Sequence, residues 1–311
     1  MPGTDTGTNT DTPVPAMTEY AGKPQKLLCL GFGAAARTLA EGLKGAGWEI
    51  AGTCRDMAEA EGQHALKNVP VHEFNRHRPL AGDVFAGVTH MLSSVPPDED
   101  GDPVLDMHGK ELAAMPELQW VGYLSTTGVY GDRGGVSVDE ESPLNPSGER
   151  GRRRAVAEDG WRALWQASGV PVHIFRLAGI YGPGRSALDM VRSGRAKKVI
   201  KPGQVFSRIH IADLVRVLRA SMDRPRPDTV YNVCDDEPAP PQDVTDYACS
   251  LLGVEPPPPV SLEEAELSEM ARSFYDDNKR VSNTLIKKEL NVTLEFPDYR
   301  KGLDAIFRNG G

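Results

Sequence analysis

Cysteine is scarce in this sequence: the four residues, at positions 29, 54, 234 and 249, are never spaced as a metal-binding pair. A disulfide framework is therefore not expected, and a reducing cytoplasm is the natural setting. There is no H-E-x-x-H, no paired Cys/His set and no G-x-S-x-G, so zinc and serine-hydrolase chemistry have no support and no metal is expected. No apolar run approaches the roughly 18 residues needed to cross a bilayer, which argues against a membrane span. Positive charge is in deficit, 35 Lys and Arg against 44 Asp and Glu, for a net charge of -9. A general nucleic-acid surface is disfavoured, because such binding neutralises phosphates with cations. The opening stretch Met1–Tyr20 has neither a basic start nor an apolar segment, so it does not read as a secretory signal. It reads instead as a flexible tail, and residues 1–24 are set outside the expected fold.

What the chain does have is an alternation of short apolar runs with helical ones from Lys26 onward, the pattern of βα units around a parallel sheet. Strands are expected at Lys26–Leu30, Glu49–Thr53, Val88–Ser93, Leu118–Leu124, Val170–Leu177 and Thr229–Val233. Helices are expected at Arg37–Leu43, Val104–Ala114 and Arg152–Gln166. After about Ile180 the character changes. Lys197–Ile211 reads as a hairpin about Lys201-Pro202-Gly203-Gln204, and helices follow at Ala212–Met222, Gln242–Leu252, Leu262–Phe274, Val281–Leu290 and Tyr299–Arg308. The expected fold is α/β, a Rossmann-type doubly wound parallel sheet over 25–180. A smaller C-terminal substrate lobe follows over 181–311, from which Thr229–Val233 and its flanking helices return to the sheet.

A glycine turn, Gly31-Phe32-Gly33-Ala34-Ala35-Ala36, stands where the first strand ends and a helix begins. Gly31 permits the tight turn, Gly33 lets the backbone approach a pyrophosphate, and Ala36 is small enough for helix to pack on strand. The helix N-terminus then faces the anion. A plain strand-turn-helix would use the same glycines. At the end of the second strand, Gly52-Thr53-Cys54-Arg55 offers no acid to the ribose until Asp56. Arg55 can instead pair with a 2′-phosphate, which favours NADP over NAD, although a solvated loop arginine would read the same way.

Further along, several stretches together resemble the extended short-chain dehydrogenase/reductase family, of the sugar-nucleotide epimerase and dehydratase type. They are Leu124-Ser125-Thr126-Thr127-Gly128-Val129-Tyr130-Gly131, Glu140–Pro146, Phe175-Arg176-Leu177-Ala178-Gly179-Ile180-Tyr181-Gly182-Pro183-Gly184, Arg208–Asp213 and Val230–Val233. The likeness runs in order from about Lys26 to Ala305. The glycines read G-x-G-x-x-A where the family usually has G-x-x-G-x-x-G, which points to an atypical subgroup.

The resemblance implies a Ser or Thr that orients substrate, then a Tyr that exchanges a proton and a Lys one helical turn on. Thr126 matches the first position, with Ser125 beside it. With Glu158 as landmark, Arg150 falls where the Tyr belongs and Arg154 where the Lys belongs. A guanidinium stays protonated and cannot do the work of a phenol. Two arginines at i,i+4 could clamp an anionic substrate. Equally, Arg150, Arg152, Arg153 and Arg154 could form a solvated face, with Arg154 paired to Glu158. Tyr130 and Tyr181 are the candidates for a substitute proton donor, Tyr130 more often packing in the family.

Ser94 and Val95 follow the fourth strand, where the backbone would pass over the cofactor. Leu177, Ala178 and Gly179 would contact the nicotinamide by resemblance, and Arg208 and His210 would line the substrate pocket. His210 could equally be structural, bonded to Asp213 or a backbone carbonyl. The resemblance also implies a homodimer. The function expected is NAD(P)-dependent oxidoreductase or epimerase chemistry on a hydroxyl-bearing, anionic small molecule. The rival is an NADP(H)-binding protein that has lost catalysis.

Overall fold

The computed structural model describes residues 24–58 and 69–310; the expected tail Met1–Tyr20 lies outside them. Its frame is a seven-stranded sheet of β1 (Gln25–Leu30), β2 (Trp48–Cys54), β3 (Val71–Glu73), β4 (His90–Ser93), β5 (Trp120–Thr126), β7 (Val172–Leu177) and β11 (Thr229–Val233). The spatial order is β11-β7-β5-β4-β1-β2-β3, and every pairing is parallel. This is the Rossmann-type arrangement. The order runs outward from β1 in one direction and from β4 in the other, so the crevice lies beyond the C-terminal ends of those two strands.

Side-chain alternation explains why both faces are covered. Leu27 and Cys29 of β1 face one side, where they join Leu39 and Leu43 of α1 (Ala34–Leu43) and Leu214 and Leu218 of α5 (Ile211–Asp223). Leu28 and Leu30 face the other. There they meet Val104 and Leu112 of α2 (Pro103–Ala113) and Ala157 and Trp161 of α3 (Glu149–Ser168). Strands buried on both faces need the near-continuous apolar runs this sequence supplies.

The helix ends are set locally. Asp102 caps α2, accepting from the Val104 N–H at 2.8 Å, with Pro103 in the first turn. Its other carboxylate oxygen accepts from Trp161 Nε1 at 2.9 Å, which ties α2 to α3. Helix α3 stops at Gly169, in the left-handed conformation.

The lobe departs from expectation. β9 (Lys198–Ile200) and β10 (Arg208–His210) do not form a hairpin with each other. β9 pairs with β12 (Pro259–Ser261), and β10 pairs with β8 (Gly179–Tyr181), both in parallel. The chain does turn at Gly203, but three-residue strands have too little pairing of their own. They settle where apolar residues are covered, Val199 against Ala265 and Tyr275. The expected helix Leu262–Phe274 shrinks to α7 (Glu269–Ser273), because Ser261 and Glu264 close a turn and Ser268 caps the later start. Likewise Val281 belongs to β13 (Arg280–Val281), paired with β6 (Ser137–Val138), and α8 begins only at Thr284 (Thr284–Leu290). α4 (Ala187–Arg192), α6 (Pro241–Leu252) and α9 (Tyr299–Arg308) pack together around Leu188, Ala248 and Leu303. Among the described residues no helix is long and apolar enough to cross a membrane.

Candidate functional site

The glycine turn closes the C-terminal end of β1. Gly31 has φ of +86°, a region that disfavours any side chain, and a Cβ there would come 2.6 Å from Ser94 Oγ. Ser94 Oγ donates to the Gly31 carbonyl at 2.7 Å, and the Gly31 N–H donates to Thr53 Oγ1 at 2.8 Å. β1, β2 and the segment after β4 are thus locked around one residue. Phe32 donates its N–H to the Thr53 carbonyl at 2.7 Å and lays its ring on Gly52, where a Cβ would come within 2.6 Å of the ring. Phe32 therefore packs the turn from the β2 side.

Gly33 is the N-cap of α1 and offers no side-chain cap, so the first N–H groups of the helix have no side-chain partner. Gly33 and Ala34 are exposed, and the space where a Gly33 Cβ would stand is open. Ala36 is buried against the sheet. Free N–H groups, the positive end of the helix dipole and open space fit a dinucleotide's pyrophosphate. Arg55 lies exposed just beyond β2, its carbonyl held by Asn75 Nδ2 at 3.1 Å. Val95 is half-buried after β4.

At the end of β5 the hydroxyls divide. Thr126 is half-exposed, its Oγ1 accepting from the Gly128 N–H at 3.1 Å. Ser125 is buried and donates to Glu158 Oε1. Glu158, 2% exposed, is forked by Arg176, with the closest contact at 2.7 Å. Arg176 also donates to the Tyr130 hydroxyl at 2.8 Å, which in turn donates to Asn232 Oδ1 at 2.8 Å. Tyr130 is fully buried and burial pushes its phenol's pKa up. Its hydroxyl is spent inside this network rather than presented to the cleft. Tyr181 is buried too, its hydroxyl 3.4 Å from the Asp298 carbonyl.

The arginines of α3 do not form one solvated face. Glu149 takes Arg152 and Arg153, each at 3.0 Å. Arg154 turns inward, donates to the Leu124 carbonyl of β5 and lies 6.0 Å from the centroid of the Tyr123 ring. It does not pair with Glu158, which Arg176 already occupies. Arg150 is exposed, and its guanidinium stands 5.9 Å from the ring centroid of Phe274, an exposed lobe residue.

Leu177 and Ala178 are buried at the end of β7, whereas Gly179 is exposed and pairs with Arg208 in the β8–β10 register. His210 is buried and caps α5, Nδ1 accepting from the Ala212 N–H at 3.3 Å. Its ring packs 4.1 Å from that of Phe296, and burial holds its pKa down at about 4. That is a structural histidine's setting. Asp213 is turned away from it, accepting from the N–H groups of Glu295 and Phe296. Sequence reasoning missed Thr53, whose hydroxyl pins Gly31, and the Ser125–Glu158–Arg176–Tyr130 network. Both depend on contacts between strands far apart in the chain.

Residues 111–234 match the NAD dependent epimerase/dehydratase family. A conserved protein of Silicibacter pomeroyi, itself of unknown function, is 49% identical, with 92% of this chain and 99% of that one covered and a TM-score of 0.84. Protein YeeZ of Escherichia coli K12 is 27% identical over 293 residues, covering 88% of this chain and 97% of YeeZ. The dTDP-glucose 4,6-dehydratase of Bacillus anthracis, solved in complex with NAD, shares the fold at 16% identity. Its TM-score is 0.72, with 91% of this chain and 96% of that one covered.

Proposed function

The chain belongs to the NAD dependent epimerase/dehydratase family, and on that premise we propose that it is an NAD(P)-binding oxidoreductase or epimerase acting on a hydroxyl-bearing, anionic small molecule. The observation that carries the reading is the uncapped N-terminus of α1 behind Gly31 and Gly33, set where the strand order reverses. The turn holds the pyrophosphate. Arg55 meets a 2′-phosphate, which makes NADP the preferred cofactor. When bound, the nicotinamide supplies the hydride. Thr126 orients the reacting hydroxyl, Gly179 borders the nicotinamide, and Arg150 and Arg154 keep positive charge at the mouth of the site. The lobe beyond residue 180 supplies the substrate contacts. The working form is a cytoplasmic protein, a homodimer by analogy with the family, with no nucleic-acid or membrane partner. Sugar nucleotides are the first substrates to try, since structural neighbours of the same fold were solved with UDP-glucuronic acid and NAD.

Two measurements test this. Titration with NADPH and NADH should show tighter NADPH; equal affinities, or tighter NADH, would sink the NADP preference. A screen of nucleotide sugars for hydride exchange should find turnover, and complete inertness beside tight cofactor binding would reject the enzyme. One observation favours that second outcome. An arginine stands where the family's phenol belongs, and the Tyr130 hydroxyl is consumed by Arg176 and Asn232. In that reading the protein senses or stores NADP(H). A partner whose affinity differs between NADPH and NADP would support it, and loss of turnover in Arg150→Ala would count against it.

A further inference from the structure

Between α4, α6, α9 and β10 the lobe encloses a cavity of about 440 Å³, within the range of small-molecule sites. Tyr181, Val244, Tyr299 and Leu303 give it an aromatic and aliphatic wall, and Arg185, Arg195 and Arg208 line it with charge. Among the described residues none of these three guanidiniums has a carboxylate within ion-pair distance. Arg185 has no side-chain partner, Arg195 donates to Ser193 Oγ at 3.0 Å, and Arg208 donates only to the carbonyls of Phe206 and Ala239, at 2.8 and 3.0 Å. The one acid on the wall, Asp189, is already occupied, accepting from the Ser186 N–H at 2.7 Å and from its Oγ at 2.6 Å.

Unpaired cations gathered in one cavity are uncommon in a chain with nine more acids than bases, 44 against 35. Each guanidinium would be stabilised by an anion that reached it. A monoanionic carboxylate is matched by one arginine, whereas a phosphate ester, with up to two charges and three acceptor oxygens, is matched by several. The cavity also adjoins the hydride end of the site. Arg208 is the register partner of Gly179, and neighbouring strands stand about 4.8 Å apart.

We propose that this cavity holds a phosphate ester carried by the substrate, gripped by Arg185, Arg195 and Arg208. The chemistry of the grip stands on the cavity alone; the ligand's identity as substrate rests on the hydride-transfer reading above. A single carboxyl lies behind Arg208. Asp235 is 1% exposed, neither of its oxygens has a hydrogen-bond partner, and burial pushes it up to about 8, so at neutral pH it leaves Arg208's charge largely uncompensated.

The test is calorimetric titration of the full chain, saturated with NADPH and at constant ionic strength, with glucose 6-phosphate, uridine 5′-phosphate, inorganic phosphate, glucuronate and glucose. At least one ester should bind saturably, with a Kd below about 1 mM, and more tightly than inorganic phosphate or glucuronate, while glucose should not bind. The variant Arg185→Ala/Arg195→Ala, both at exposed positions, should weaken the ester by about tenfold or more with its thermal midpoint preserved. Saturation by no phosphate compound, equal affinity for glucuronate, or undiminished binding in the variant would each overturn the site. Inorganic phosphate binding as tightly as both esters would overturn the substrate assignment in favour of free phosphate. Cofactor titration of the same samples separates the two readings. NADPH binding without ester binding removes this site and leaves the proposed function, and ester binding without NADPH binding does the reverse.

Discussion

Gly31 answers to two constraints at once, a backbone conformation and a neighbour. Its φ of +86° disfavours a side chain by about 1 kcal/mol or more, and Ser94 Oγ occupies the space a Cβ would need. Gly31→Ala is therefore expected to lower stability by about 1–3 kcal/mol in urea unfolding and to weaken NADPH binding measured by fluorescence. An unchanged affinity would mean that the turn does not hold the cofactor. Glu158 presents the opposite kind of constraint, a charge that must be answered. It sits buried against Arg176 at 2.7 Å, and removing one partner of a buried pair leaves the other uncompensated, at a cost of about 3–5 kcal/mol. Glu158→Ala should shift the urea midpoint by that amount. A shift under about 1 kcal/mol would mean that water reaches Arg176. The glycine turn was legible in the sequence because its geometry is local, three small residues between a strand and a helix. Glu158 was legible only as a landmark; that its partner is Arg176 and not Arg154 depends on how α3 lies over β7.

At the level of elements, the link between α2 and α3 runs through Asp102. One carboxylate oxygen caps α2 and the other holds the buried indole N–H of Trp161. Loss of an N-cap costs about 1 kcal/mol, and an orphaned buried donor adds about 1–3. Asp102→Asn should recover part of this, since its amide oxygen can still cap the helix, whereas Asp102→Ala should not. Equal unfolding midpoints for the two variants would show that the cap carries no weight. The sheet strands were readable because each is an apolar run buried on both faces. The lobe was not, because β8, β9, β10 and β12 have three residues each. A segment that short takes its partner from whatever apolar neighbour needs covering, as Val199 does from Ala265 and Tyr275. The same limit hid the three cavity arginines. They lie at positions 185, 195 and 208, and only the packing of α4 against α6 and α9 brings them to one wall.

For the whole molecule, buried titratable groups set opposing limits with pH. His90, His173 and His210 are held down from 6.5 to about 4 by burial. Their folded pKa is depressed, so the stability they allow is complete above 6.5 and is lost as pH falls towards 4, where the unfolded chain takes up protons the native state refuses. Asp235 works the other way. Burial raises it from 3.8 to about 8, so the native state retains a proton that the unfolded chain has released, and stability declines as pH rises through that window. Each proton of difference is worth about 1.4 kcal/mol per pH unit. Three histidines outweigh one aspartate on the acid side, even though Asp102, Glu140 and Asp213 are also raised by burial. Above 6.5 the histidines fall silent and the raised carboxyls remain. Stability measured by urea unfolding across pH 4–8 should therefore pass through a maximum near pH 6.5. Asp235→Asn should flatten the alkaline side and leave the acid side steep. An alkaline side that falls as fast in the variant as in the parent would show that Asp235 is already ionised at neutral pH and neutralises Arg208, which would weaken the case for an anion in the lobe cavity.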